Sequence, residues 1–139
     1  MRRRPYRFLP HTADLMVEAR GKDLPELFSR CAIALFSLIT DRRFVRSAET
    51  RTVSVAAEVP EDRLYLLLRD ALLLFSAGGF LARTVNVTMK GNSVTLSAAG
   101  EPADFSRHPA GREVKAVTAH AMTIRKTPDG VVARYVVDI

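Results

Sequence analysis

Two stretches of this 139-residue chain carry apolar residues at helical spacing, and the other patterned stretches alternate apolar and polar residues as strands do. The first helix is predicted to begin at Asp23, whose side chain can cap it, and to end near Thr40-Asp41. The second is predicted to begin at Pro60 and to stop at Gly78-Gly79. A strand precedes each helix and several adjacent strands follow. This order predicts an α+β fold of two layers, with two helices packed on one face of a mixed, mainly antiparallel sheet.

The composition is that of a soluble globular protein, with 47% apolar and 26% charged residues and no apolar run that approaches the roughly 18 residues of a membrane span. We therefore expect one domain over residues 1–139 and no membrane partner. Cys31 is the single cysteine, which excludes an intramolecular disulfide and suits a reducing compartment. The arginine-rich start lacks the apolar segment of a secretory signal, so a cytoplasmic location is expected.

A polar stretch that contains His11, Thr12 and Asp14 leads into the first strongly alternating strand. The last strand-like run ends in Asp138-Ile139. If these two strands pair antiparallel, Asp14 and Asp138 converge. Two carboxylates about 4 Å apart repel by roughly 4 kcal/mol at an effective dielectric constant near 20, so they require a bound cation, a basic side chain between them or a shared proton. The pattern therefore indicates a candidate site and leaves these three alternatives open.

A second polar stretch runs from His108 through Gly111 to Lys115 and leads into a strand, which places Lys115 where the edge of a sheet can present it. Taken alone, His108 is typical of a hydrogen-bonded turn residue and Lys115 of a solvated surface. N-capping, turn formation and solvation at strand ends are likewise the ordinary roles of aspartates such as Asp14, Asp41 and Asp138. The chain has no phosphate-binding glycine loop and no set of cysteine and histidine ligands for zinc.

Taken together, these motifs resemble the archease family. The resemblance is carried by His11-Thr12-Ala13-Asp14, by Thr40-Asp41 after the first helix, by the run from His108 to Thr118 and by the terminal Asp138-Ile139, in this order along the chain. It implies a small protein partner of an RtcB-type RNA ligase in tRNA splicing and RNA repair. Such a partner promotes guanylylation of the ligase histidine and multiple turnover, and is not itself the enzyme.

The resemblance also implies a divalent metal ion held by aspartates. Carried over to this chain, the ligands are Asp14, Asp41 and Asp138, with Ile139 at the same chain end. Carboxylate and backbone oxygens suit a hard cation such as Ca²⁺, Mg²⁺ or Mn²⁺. The expected supporting residues are His11 and Thr12, which would orient Asp14, together with the motif residues His108 and Lys115.

Two other functions fit parts of the sequence. The same aspartates could serve a metal-dependent phosphoesterase. The net charge of +6, carried mainly by 17 arginines, fits a basic RNA-binding module or chaperone. The basic clusters Arg2-Arg3-Arg4 and Arg42-Arg43 with Arg46 fit either solvated surface or a surface that meets a partner. If this protein is a partner of the ligase, we expect it to make at most weak or indirect contact with RNA.

Overall fold

A computed structural model describes residues 4–10 and 14–139 of the protein. Two of the predicted supporting residues, His11 and Thr12, lie outside these ranges. The elements in the described ranges are β1 Tyr6–Pro10, β2 Asp14–Gly21, α1 Leu24–Ile39, a short 3-10 turn Arg42–Phe44, β3 Glu49–Ala56, α2 Pro60–Ser76, β4 Phe80–Lys90, β5 Ser93–Pro102, β6 Ala116–Thr127 and β7 Gly130–Asp138.

The strands form two sheets, and every pair of neighbouring strands is antiparallel. One sheet has the order β1-β2-β7-β6 and the other has the order β3-β5-β4. The predicted α+β class, with two layers and two helices, is confirmed. The expected mixed sheet is replaced by these two antiparallel sheets, because α1 packs on β2 and β4 and α2 packs on β6 and β3, so that each helix bridges one strand of each sheet.

The predicted first helix is confirmed, as is its N-cap. The side chain of Asp23 accepts a hydrogen bond of 3.0 Å from the backbone N–H of Glu26, and the Glu26 carboxylate accepts one of 3.0 Å from the N–H of Lys22. The helix ends at Ile39, where the N–H of Thr40 donates to the carbonyl of Phe36. No helix in the described ranges is long and apolar enough to cross a membrane.

The apolar stripe of α1 forms the centre of the core. Leu27, Phe28, Cys31 and Leu35 are fully buried on it. The hydroxyl of Tyr135 in β7 donates a 2.8 Å hydrogen bond to the backbone carbonyl of Cys31, which joins the last strand to the middle of the helix. Burial raises the pKa of the Cys31 thiol, so this cysteine is a packing residue and not a nucleophile.

Candidate functional site

Strand β2, near the start of the chain, pairs with β7, the last strand, in the middle of the four-stranded sheet. In this antiparallel register Asp14 lies opposite Asp138, and Leu15 lies opposite Val137. Leu15 and Val137 are buried in the core, whereas Asp14 is half-buried and Asp138 is exposed. The two carboxylates therefore share the outer face of the sheet, with Cβ atoms about 4.5–5.5 Å apart for directly opposed residues. The antiparallel pairing on which the convergence of Asp14 and Asp138 depends is therefore present.

Helix α1 carries Asp41 toward the same end of the sheet. Its start packs against Gly21, where a Cβ atom would overlap the backbone of Leu27. The helix has 16 residues, or about 24 Å at 1.5 Å per residue. Strand β2 has 8 residues, or about 26 Å at 3.3 Å per residue. Because the helix runs back along the strand for nearly its full length, Asp41 lies near the end of the sheet that holds Asp14.

Asp41 makes a bidentate ion pair with Arg43. The guanidinium Nε lies 3.0 and 3.1 Å from the two carboxylate oxygens, and Nη2 lies 2.6 Å from Oδ2. The backbone N–H of Arg43 also donates to Oδ1 at 3.1 Å. These hydrogen bonds lower the pKa of Asp41 to about 2. The carboxylate is therefore ionised at neutral pH and already has a cationic partner.

The loop between β5 and β6 connects the end of α1 to Asp138. The N–H groups of Gly111 and Arg112 donate to the carbonyls of Ile39 and Leu38, at 2.9 and 2.7 Å. Three residues later, the N–H of Lys115 donates at 2.8 Å to the carbonyl of Asp138. The segment from Arg112 to Lys115 can span at most about 3.5 Å per residue, so it holds the end of α1 close to the end of β7.

A cavity of about 530 Å³ opens beside this contact. Its lining residues are Tyr6, Ser37, Thr40, Asp41, Arg42, Arg43, Pro109, Ala110 and Gly111. The hydroxyl of Thr40 donates to the carbonyl of Pro109 at 2.7 Å, which fixes one wall. Arg42 Nε donates to the Ser37 hydroxyl at 3.0 Å on the other wall. The cavity therefore gives solvent access to the Asp41 side of the site.

His108 is buried, and both of its ring nitrogens are hydrogen-bonded. Nδ1 accepts from the backbone N–H of Asp104 at 2.9 Å, so Nε2 carries the proton that it donates to Glu101 Oε2 at 2.9 Å. Glu101 also accepts from Arg107 Nη2 at 2.5 Å and from the N–H of Arg46 at 2.7 Å. The Arg107 guanidinium first, and then the Arg46 N–H, lower the pKa of Glu101 to about 2. His108 therefore anchors the loop from its other end.

Lys115 is exposed and lies one residue ahead of β6, at the edge of the four-stranded sheet. Residues 113–115 belong to the loop between β5 and β6, and the strand that this loop leads into begins at Ala116. Lys115 therefore lies in the loop beside the edge strand β6 and not on the strand itself. Its role in a site stays a prediction.

The aspartates at this end of the sheet supply some, but not all, of the ligands expected for a divalent metal ion. Asp14 and Asp138 share one face of the sheet and supply the oxygen ligands that hard cations take. Asp41 would become a further ligand only by giving up Arg43. Within residues 4–10 and 14–139, no three histidine, cysteine or acidic side chains come close enough together to hold a metal ion. The metal ligands Asp14, Asp41, Asp138 and Ile139 therefore remain a prediction.

Two features of this region were not predicted from the sequence. Arg43 is part of a basic cluster in the sequence, but only the backbone turn at Arg42–Phe44 shows that it pairs with Asp41. Glu101 follows a run of small residues at the end of β5, and no sequence signal marks it as the buried acceptor beneath the loop.

Comparison with known proteins gives the same family for nearly the whole chain. Residues 6–139 match the Archease protein family (MTH1598/TM1083). The chain is 39% identical over 124 residues to Protein archease of Thermococcus gammatolerans, covering 86% of this chain and 87% of that protein.

Solved structures share the fold. The solution structure of protein 1598 of Methanobacterium thermoautotrophicum matches with a TM-score of 0.78 and 30% identity, covering 97% of this chain and 99% of that one. The crystal structure of a Thermotoga maritima archease, described as a possible chaperone, matches with a TM-score of 0.66 and 20% identity, covering 100% of this chain and 98% of that one. The protein described here belongs to the archease family.

Proposed function

We propose that this protein activates an RtcB-type RNA ligase in tRNA splicing and RNA repair by promoting guanylylation of the ligase and its multiple turnover. The observation that carries this proposal is the register of β2 and β7, which sets Asp14 opposite Asp138 on an accessible face of the sheet. These are the residues that the archease motifs assign to a metal site, and membership of the family supports the assignment.

Asp14 and Asp138 would hold a divalent cation, and Asp41 would join them when Arg43 releases it. The bound cation would supply positive charge for the phosphates of the ligase's nucleotide. The chain's own part is to position that charge: the loop from His108 to Lys115 fixes the end of α1 against the end of β7. Nucleotidyl transfer depends mainly on alignment and charge neutralisation, so an activator of this kind needs no nucleophile.

The test is RNA joining by an RtcB-type ligase of the same organism, with ligase limiting and RNA in excess. The unmodified protein is expected to raise the number of joining events per ligase. Asp14→Asn and Asp138→Asn are expected to remove most of this stimulation. Stimulation by both variants equal to that of the unmodified protein would contradict the proposal.

The purified protein, assayed without ligase, tests the alternative that it is a metal-dependent phosphoesterase. With Mg²⁺ or Mn²⁺ but without ligase, we expect no hydrolysis of phosphate esters by the protein alone. Hydrolysis that disappears in Asp138→Asn would instead identify the aspartates as an enzyme's active site.

A further inference from the structure

The outer face of the β1-β2-β7-β6 sheet carries arginines around a buried glutamate. Glu18 lies on β2 on the face opposite to the core residues Val17 and Ala19, yet its exposed fraction is only 3%. Guanidinium groups cover it from three strand positions. Arg7 on β1 and Arg134 on β7 flank it, and Arg20 lies two residues further along β2.

The contacts fix these arginines in place. Glu18 Oε1 accepts from Arg7 Nε at 2.8 Å and from Arg20 Nη2 at 3.4 Å, and Oε2 accepts from Arg134 Nε at 2.9 Å. The hydrogen bond from Arg7, followed by that from Arg134, lowers the pKa of Glu18, so the carboxylate stays charged. One carboxylate neutralises one guanidinium charge and leaves the other two.

A fourth arginine extends the group to the edge strand. Arg125 on β6 lies opposite Val132 on β7, and Val132 lies opposite Arg20 on β2, so Arg20 and Arg125 share one row of the outer face. We call Arg7, Arg20, Arg125 and Arg134 with Glu18 the arginine face. Four guanidinium groups and one carboxylate give it a formal charge of +3, against +6 for the whole chain.

The arginine face crosses all four strands. With strands about 4.8 Å apart, its charges are spread over about 14 Å. A polynucleotide carries one phosphate per nucleotide along its length, and the planar guanidinium fork matches phosphate oxygens. We propose that the arginine face binds the phosphate backbone of a single-stranded nucleic acid, which crosses the sheet from β1 to β6.

The surroundings favour a single strand bound without sequence readout. Besides Glu18, the positions opposite the arginines in these two rows are Thr123 and Val132, so no aromatic ring for base stacking lies there and the arginines would contact the phosphates alone. The surface is the face of a four-stranded sheet, which is wider than the helix or two-stranded ribbon that a duplex groove admits. Glu18 lies four residues from Asp14 along β2, or about 13 Å, so a strand held here would pass close to the aspartate pair. The inference does not depend on ligase activation.

The test measures binding of a fluorescent single-stranded RNA to the whole protein by anisotropy over a series of salt concentrations. Arg134→Gln removes a charge next to Glu18, and Arg125→Gln removes one while leaving the contacts of Glu18 intact. Arg69→Gln on α2 is the control, because Arg69 also pairs with a carboxylate and its side chain is 49% exposed, against 47% for Arg134. Thermal unfolding of each variant checks its fold.

Each of the two test variants is expected to weaken binding and to reduce the slope of log affinity against log salt by about 0.7, the value for one phosphate contact on a single strand. The control is expected to match the unmodified protein. Three results would overturn the proposal: no RNA binding, binding by Arg125→Gln equal to the control, or preferential binding of a polyglutamate peptide that both test variants weaken. The last result would assign the face to an acidic protein.

Discussion

Asp14 and Asp138 are far apart in the sequence but lie directly opposite each other on the neighbouring antiparallel strands β2 and β7. The register that brings them together also buries Leu15 and Val137 on the opposite face. A shift of either strand by one residue would turn that strand's carboxylate toward the core and expose its apolar neighbour. Core packing therefore fixes the position of the acidic pair.

The first prediction concerns cation binding by this pair. Asp14→Asn and Asp138→Asn are each expected to weaken binding of Mn²⁺ or Ca²⁺ at least about tenfold, the lower end of the loss seen when even an outer-shell partner is removed. Isothermal titration calorimetry on metal-free protein measures it. Asp129→Asn, in the exposed turn at the other end of β7, is the control and is expected to bind as the unmodified protein does. Equal affinities for all three variants would remove the metal site from this pair.

The second prediction concerns the competition between Arg43 and a cation for Asp41. In Arg43→Gln the carboxylate loses its bidentate partner, so the pKa of Asp41 is expected to rise from about 2 toward its ordinary value of 3.8. NMR titration of the Asp41 side-chain carbon measures this shift. If Asp41 is a metal ligand, Arg43→Gln also tightens cation binding and Asp41→Asn weakens it. Cation affinity unchanged in both variants, with the pKa of Asp41 shifted as expected, would exclude Asp41 from the ligands.

The third prediction concerns the loop between β5 and β6, which contacts both the end of α1 and the end of β7. A Cβ atom at Gly111 would overlap the carbonyl oxygens of Leu38 and Ile39, the second of which accepts the Gly111 N–H. Gly111→Ala is therefore expected to lower the free energy of unfolding by about 1–3 kcal/mol, as other overpacking substitutions do. Urea unfolding measures it. Ala110→Ser, at an exposed neighbouring position, is expected to change stability by less than about 0.5 kcal/mol. A similar small change in Gly111→Ala would show that the loop does not need this close approach.

The fourth prediction concerns acid stability. The pKa of Glu101 is about 2 in the folded protein, below its ordinary value of 4.5, because Arg107, the Arg46 N–H and His108 favour the charged form. Its contribution to stability is therefore fully present above about pH 4.5 and is lost as the pH falls toward 2. The stability difference between the unmodified protein and Glu101→Gln should shrink over this range.

Urea unfolding at pH 7, 4 and 2.5 follows that difference. Glu58→Gln, at an exposed position ahead of α2, serves as the control for the loss of one carboxylate. A difference between the unmodified protein and Glu101→Gln that stays constant with pH would contradict the account of the buried cluster.

The pairing of β2 and β7 could be predicted because both segments are strongly strand-like, with Asp14 at the start of one and Asp138 at the end of the other. The same register places Arg134 opposite Glu18, so one pair of the arginine face also follows from the sequence once the strands are aligned. Helix α1 was predictable for a similar reason, since its cap and its apolar stripe are both local signals.

The division of the strands into two sheets was not predictable, because it depends on how each helix bridges strands that are distant in sequence. The Glu101 and His108 hydrogen bond and the contact of Gly111 with α1 likewise depend on where a long loop crosses the fold. Alternation and capping rules describe strands and helix ends, and they carry no information about such crossings.

The most direct test of the central claim is the rate at which GTP guanylylates an RtcB-type ligase of the same organism, measured before any RNA is added. The unmodified protein and Asp129→Asn are expected to accelerate formation of the ligase–GMP adduct, and Asp138→Asn is expected to leave the rate close to that of ligase alone. Acceleration by Asp138→Asn equal to that by the unmodified protein, or no acceleration by the unmodified protein, would contradict the account.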